Sequence, residues 1–261
     1  EQPIIFGDIE KGFSEADVVA ERDFSTQIIE HGYLENDSGV AYIHENGQLV
    51  VMSGSQNIHQ HKNTIAAAVG IDPARVRMIQ SVTGGAFGGK LDVSVGGLLG
   101  MAAIALQRPV KLVFTREETF AVTTKRHAFY MKAKVGAKKD GTLTALQMDI
   151  LADGGAYKSF SNSVVTRGLV HSSGPYRFLN AKIMGKAVYT NSAIKGAMRG
   201  FGVPQVLFAT ESLLEEIAEK IGMDSLEIRK KNGYVSGDTT ICAQELNDNF
   251  GFHECLDQMR P

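Results

Sequence analysis

What the sequence has little of narrows it first. Only two cysteines, Cys242 and Cys255, occur in 261 residues, and they form no Cys-x-x-Cys pair. A disulfide framework and a zinc ribbon are therefore excluded, as is an iron–sulfur cluster, which needs more thiolates than these two can supply. His59-x-His61 and His253-x-Cys255 lack a second ligand pair at zinc-site spacing, so these histidines are expected in core or surface roles. An excess of positive charge is missing too: 27 basic residues against 29 acidic ones leave a net charge of -2. The runs Lys138-Lys139 and Arg229-Lys230-Lys231 are too short to track a nucleic-acid backbone. There is no long apolar run, no basic segment ahead of one and no initiator Met. Neither a transmembrane helix nor a signal peptide is expected, and a cytoplasmic chain follows. Internal repeats and low-complexity linkers are absent as well.

What is present is a globular composition, 43% hydrophobic and 21% charged, sufficient for a buried core. Strand signals dominate the first half, beginning with residues 18–24. Residues 40–44 and 48–52 flank Glu45-Asn46-Gly47, a hairpin turn because Asn and Gly tolerate positive φ. Asn57 predicts a capped helix over 58–69, closed by Gly70. Asp72-Pro73 restarts the chain into a strand over 75–82. A helix over 92–106, rich in Gly and Ala and poor in charge, is expected to be buried on most sides. A strand over 110–115 follows, then a long hairpin of 130–138 and 142–150 turned at Asp140-Gly141. The Gly- and Ser-rich stretch 153–175 has poor periodicity and is expected to be irregular, a place where sites are built. A strand over 182–189 leads to a helix over 206–221, which Gly222 closes and whose Glu211, Glu215, Glu216 and Glu219 face solvent. Asp224 caps a last short helix to 231. Long hairpins with interspersed helices predict an α+β fold of mixed sheets, without the regular rhythm of a doubly wound one.

Two glycine-rich loops stand out. Gly84-Gly85-Ala86-Phe87-Gly88-Gly89-Lys90 lies between a predicted strand and a predicted helix, close to the P-loop pattern of nucleoside triphosphatases. That pattern continues with Ser or Thr, whose hydroxyl ligates magnesium; here Leu91 follows and supplies no ligand. A nucleotide-binding protein, or a non-catalytic assembly module whose loops only pack against a partner, stay open as alternatives. Glycines around a single Phe also let backbone N–H groups approach a ligand oxygen closely, with Phe87 expected to fix the loop by burying its ring. In Gly196-Ala197-Met198-Arg199-Gly200-Phe201-Gly202, a guanidinium with planar donors and an aromatic face sit together on open backbone.

Both loops, with Ser55-Gln56-Asn57 upstream, resemble the signature loops of the large, molybdenum-binding subunit of the xanthine dehydrogenase family of molybdenum hydroxylases. Glu30-His31-x-Tyr33-Leu34-Glu35, Arg75-Val76-Arg77, Arg126-His127, Gly154-Gly155-Ala156-Tyr157 and Ile228-Arg229-Lys230-Lys231-Asn232 resemble the same family in the same order. The likeness therefore runs along nearly the whole chain.

The resemblance implies that residues 1–261 form the first molybdenum-cofactor-binding region of a molybdopterin-binding fold. The implied cofactor is molybdenum–molybdopterin, in its simple or dinucleotide form, with no direct protein ligand on the metal. Gln56 would donate its amide to an oxygen of that centre, while Gly85, Phe87, Gly88 and Arg199 hold its oxygen and pterin side. Arg167 would have the catalytic role of stabilising negative charge on a heterocyclic substrate, which Leu91 and Phe201 would also contact.

Leu91 departs from the xanthine-oxidising members, which resemble this chain but carry a glutamate there; aldehyde-oxidising relatives tend to be apolar. Hydroxylation of a purine-like N-heterocycle with water-derived oxygen is the first implied activity, and aldehyde oxidation the alternative. Neither cysteine is near a loop, which argues against the copper–molybdenum chemistry of the family's carbon monoxide dehydrogenases. Iron–sulfur clusters and FAD on partner subunits or domains are implied, within an oligomeric enzyme. The glutamate base is expected downstream of Pro261 in a second cofactor-binding region, so the 261-residue chain alone is expected to be inactive.

Overall fold

A computed structural model of the chain describes residues 2–248 and 251–259; Glu1 and Pro261, the ends of the expected region, lie outside them. In chain order the first elements are β1 (Gln2–Phe6), α1 (Ile9–Ser14), β2 (Val18–Ser25), β3 (Ser38–Ile43), β4 (Leu49–Ser53), α2 (Ile58–Val69), β5 (Val76–Gln80), α3 (Val95–Leu106) and β6 (Val110–Val113). Then come α4 (Arg116–Val122), β7 (Phe129–Ala137), β8 (Leu143–Asp153), α5 (Ser161–Val170), β9 (Asn180–Val188), α6 (Val203–Ile221), α7 (Ser225–Asn232) and α8 (Phe252–Gln258).

The strands form two mixed sheets, the α+β arrangement expected. One has the order β1-β9-β8-β7-β2 and the other β5-β4-β3-β6. Among the strands of the described residues, only β8 with β9 and β4 with β5 run parallel, because α5 and α2 respectively supply the crossovers. In the larger sheet Phe129, Met131, Ala133 and Val135 alternate inward along β7. They meet Val206, Ala209, Leu213 and Ile217 of α6 in one apolar cluster. The smaller sheet buries Ala41, Leu49 and Val51 against Ile65 of α2 and Leu99 and Ala103 of α3. No helix of the described residues is long and apolar enough to cross a membrane.

Several expected elements are corrected. The stretch 153–175 is not irregular throughout: it contains α5, whose Ser161, Val164, Val165, Gly168 and Leu169 are buried at helical spacing. Helix α4 is an addition, opened by a capping box between Thr115 and Glu118 that also ends the preceding strand early. Helix α3 starts at Val95, since Asp92 and Ser94 are engaged by Ser159 and Asp37. It is not buried on most sides either, for Leu98 is 50% and Leu106 61% exposed. The acidic face of α6 is tied down as well as solvated: Glu211 and Glu215 pair with Arg229 of α7, and Glu216 with Arg22 of β2.

Candidate functional site

The two glycine loops meet. The Arg199 N–H donates to the Phe87 carbonyl at 2.8 Å. Their backbones lie so close that a Cβ on Gly88 would sit 2.6 Å from the Ala197 carbonyl oxygen. Each loop also turns through a phenylalanine at positive φ, Phe87 at 52° and Phe201 at 53°, with a left-handed glycine after it. A bulky residue in that region costs on the order of 1 kcal/mol, so the surrounding contacts must hold it there. Such strain is a common mark of ligand-clamping loops.

Beside this junction opens a cleft of about 900 Å³. The first loop contributes Phe87, Gly88 and Leu91, and the second contributes Ala197 through Phe201. Gln56 lies on the rim, and α5 presents Ser163, Thr166, Arg167 and Val170. Those four α5 positions are the helix face opposite its buried one. Seven sequence-predicted residues therefore share one cleft: Gln56, Phe87, Gly88, Leu91, Arg167, Arg199 and Phe201. Gly85 does not line it; at φ 97° it packs on Tyr33, where a Cβ would lie 3.1 Å from the Tyr33 Cβ.

Gln56 is locked in one orientation. Its Oε1 accepts from the Gly88 and Lys90 N–H groups at 3.0 and 3.3 Å, and the Gln56 backbone N–H donates to the Lys90 carbonyl. Two N–H donors can only be received by the amide oxygen, so the Nε2 group is left as a donor with no partner among the described residues. The same bonds give the Gly88 N–H a partner within the protein. One expectation is corrected: the Phe87 ring is not buried but 48% exposed, and it lines the cleft.

Lys90 points the other way. Its ammonium is buried, 2.7 Å from Glu35 Oε2, and lies over the Tyr33 ring. Glu35 also accepts from the Gly84 N–H at 2.6 Å, so one carboxylate staples both ends of the loop. Burial alone would raise the Glu35 pKa, but the Lys90 and Gly84 donors outweigh it and hold the carboxyl below its usual value. A P-loop needs its lysine and backbone donors turned to phosphate; here the lysine and the Gly84, Gly88 and Lys90 N–H groups are bonded within the protein, which argues against the nucleotide-binding alternative.

The cleft is electropositive. Arg167 and Arg199 are exposed, their guanidinium groups have no hydrogen-bond or ion-pair partner among the described residues, and no carboxylate is in the lining. A flat, oxygen-rich anionic group fits this donor set. Support comes from behind: Arg126 donates to the Arg199 carbonyl. His127 holds the start of α5, with Nε2 2.8 Å from Ser161 Oγ. Burial pushes the His127 imidazole down to about 4, so it is neutral at ordinary pH.

A separate groove of about 570 Å³ on the open face of the five-stranded sheet contains none of the predicted residues, and its Lys132 and Lys186 are balanced by Asp23 and Asp149. His59 is exposed and His61 buried, its Nε2 3.0 Å from the Leu91 carbonyl. The described residues hold no cluster of three His, Cys, Asp or Glu suited to a metal.

Residues 1–233 match the family described as the molybdopterin cofactor-binding domain. Over 255 residues the chain is 39% identical to the nicotinate dehydrogenase large molybdopterin subunit of Eubacterium barkeri, covering 98% of this chain and 60% of that protein. It is 37% identical over 245 residues to the xanthine dehydrogenase of Emericella nidulans, covering 93% of this chain and 18% of that one. Among solved structures, the aldehyde oxidoreductase from Desulfovibrio gigas superposes with a TM-score of 0.96 at 38% identity, over 100% of this chain and 29% of its own. The chain thus spans between about a fifth and three fifths of these relatives.

Proposed function

This chain belongs to the molybdopterin cofactor-binding domain family of molybdenum hydroxylase large subunits, and we propose that, within such an enzyme, its cleft presents an aromatic N-heterocycle to the cofactor. The observation that carries the reading is the convergence of Gln56, Phe87 and Arg199 in one cleft with Arg167 on its α5 wall.

The residues fit the group. When bound, the cofactor supplies two-electron oxidation with oxygen derived from water. The free Gln56 Nε2 donates to an oxygen of that group, and the Arg199 guanidinium and the Phe87 N–H bind its other oxygens and its pterin. Phe201, braced edge-on against Phe160 with ring centres 6.2 Å apart, confines a flat substrate ring. Arg167 stabilises negative charge developing on that ring. Because the described residues of the lining include no acid, the proton-abstracting carboxylate is assigned to a second cofactor-binding region. Iron–sulfur and flavin centres on partner subunits or domains of an oligomeric, cytoplasmic enzyme would take up the electrons. Residues 1–261 act as one cofactor-binding region.

Aldehyde oxidation is the second reading, favoured by Leu91: its half-buried apolar side chain lines the cleft and offers a substrate ring no hydrogen bond.

In the holoenzyme, Arg199→Ala is expected to lower molybdenum per chain roughly tenfold, as losing a charged hydrogen-bond donor should. Metal analysis of the purified variant checks this. Unchanged molybdenum and turnover would instead support an assembly module.

A further inference from the structure

We propose that His31 sets the spacing of the two cleft-forming loops, holding the second by a hydrogen bond while bearing on the first; this rests on the reading that the loops hold the cofactor.

The His31 side chain is fully buried, and its Nε2 lies 2.7 Å from the Ala197 carbonyl oxygen. A carbonyl only accepts, so Nε2 carries the proton. On the other side the ring lies flush against the first loop, where a Cβ on Gly89 would come within 2.9 Å of His31 Nδ1. One imidazole therefore touches both loops at once, the same two loops that the Arg199-to-Phe87 hydrogen bond joins.

Buried charge lies beside the ring. Glu30 Oε1 is 3.8 Å from Nδ1, beyond hydrogen-bond distance, and Glu30 Oε2 pairs with the Lys125 ammonium at 2.7 Å. Burial would raise the Glu30 pKa, but His31 and Lys125 together bring it below its usual value, so the carboxylate stays charged. Lys125 closes the circuit through its backbone, which accepts from the Gly196 N–H and donates to the Ile194 carbonyl in the stem of the second loop. Four residues further on from His31, Glu35 clamps the first loop at Gly84 and Lys90. A single short segment thus underlies both loops, and His31 is the point where it contacts the two together. His31 does not line the large cleft; it borders a neighbouring pocket of about 520 Å³ that shares Phe87, Met198, Arg199 and Gly200 with that cleft, but its side chain is fully buried there, so its action is on position.

The test compares His31→Leu, which keeps bulk and removes the donor, with His31→Gln, whose amide still reaches a carbonyl. Two quantities are read: molybdenum per chain in the purified holoenzyme, and hydrogen exchange of the peptide containing Arg199, with peptides of β7 and β8 as a control for global stability. His31→Leu is expected to raise exchange at Arg199 and to lower retained molybdenum, each roughly tenfold or more, with β7 and β8 unchanged. His31→Gln is expected to restore both. If His31→Leu leaves Arg199 protected and molybdenum in place, the positioning role is overturned. Arg199→Ala, measured alongside, separates the two ideas: loss there with retention in His31→Leu sinks only the positioning role, while retention in both sinks the cofactor reading as well. Should His31→Leu fail to fold, His31→Gln decides, since loss of molybdenum or of Arg199 protection in that folded variant overturns the proposal.

Discussion

Gly88→Ala is expected to pry the two loops apart and empty the cleft. The added methyl would sit 2.6 Å from the Ala197 carbonyl oxygen and 2.9 Å from the Met198 Cα, both backbone atoms with no rotamer to give way. Gly88 is also at φ 103°, a conformation an alanine adopts only under strain. Strain and overpacking together should cost about 2–5 kcal/mol. The first thing to give is the Arg199 N–H bond to the Phe87 carbonyl, which depends on the same close approach. Thermal unfolding and metal analysis of the holoenzyme should both register the change. Gly97→Ala is the control: it sits inside α3 at ordinary φ, with its nearest neighbour 4.0 Å from the new Cβ. It should be neutral or stabilising by roughly 0.5–1 kcal/mol. A Gly88→Ala protein with wild-type stability and full molybdenum would mean that the loops are not held at contact distance in solution.

Arg167→Gln is expected to act on rate and leave stability alone. The side chain is exposed and has no hydrogen-bond or ion-pair partner among the described residues, so its loss should change folding stability by no more than about 0.5 kcal/mol. If it stabilises charge on an aromatic ring, kcat on an N-heterocycle should fall about 100-fold with KM much less affected. For a neutral aldehyde, whose ring develops no such charge, the same substitution should cost little. Steady-state kinetics on both substrate classes therefore distinguish the two readings, and equal small effects on both would remove Arg167 from the chemistry.

The parts of this protein written locally were legible in its sequence. Asn57 and Gly70 bracket α2 as expected, and Asn46-Gly47 and Asp140-Gly141 turn the two hairpins, because caps and tight turns depend on residues only a few positions apart. Helix α5 was hidden for a physical reason: its buried face includes Ser161 and Gly168 beside Val164, Val165 and Leu169, so its apolar period is diluted by small residues that exist to let the helix approach its neighbours. The candidate cleft was legible as a set of residues but not as a mechanism. That Gly88 spends its N–H on Gln56, that Lys90 turns inward to Glu35 and that His31 spans both loops are contacts between residues 32, 55 and 166 positions apart. No local pattern encodes those pairings. They follow from how β3, β4 and the five-stranded sheet place the loops together.

Diffraction from crystals of the holoenzyme collected at the molybdenum absorption edge tests the central claim most directly. An anomalous peak inside the cleft, within reach of the Gln56 amide and flanked by Phe87 and Arg199, is the predicted result. A peak anywhere else in the molecule, with this cleft filled by a segment of protein, would contradict it.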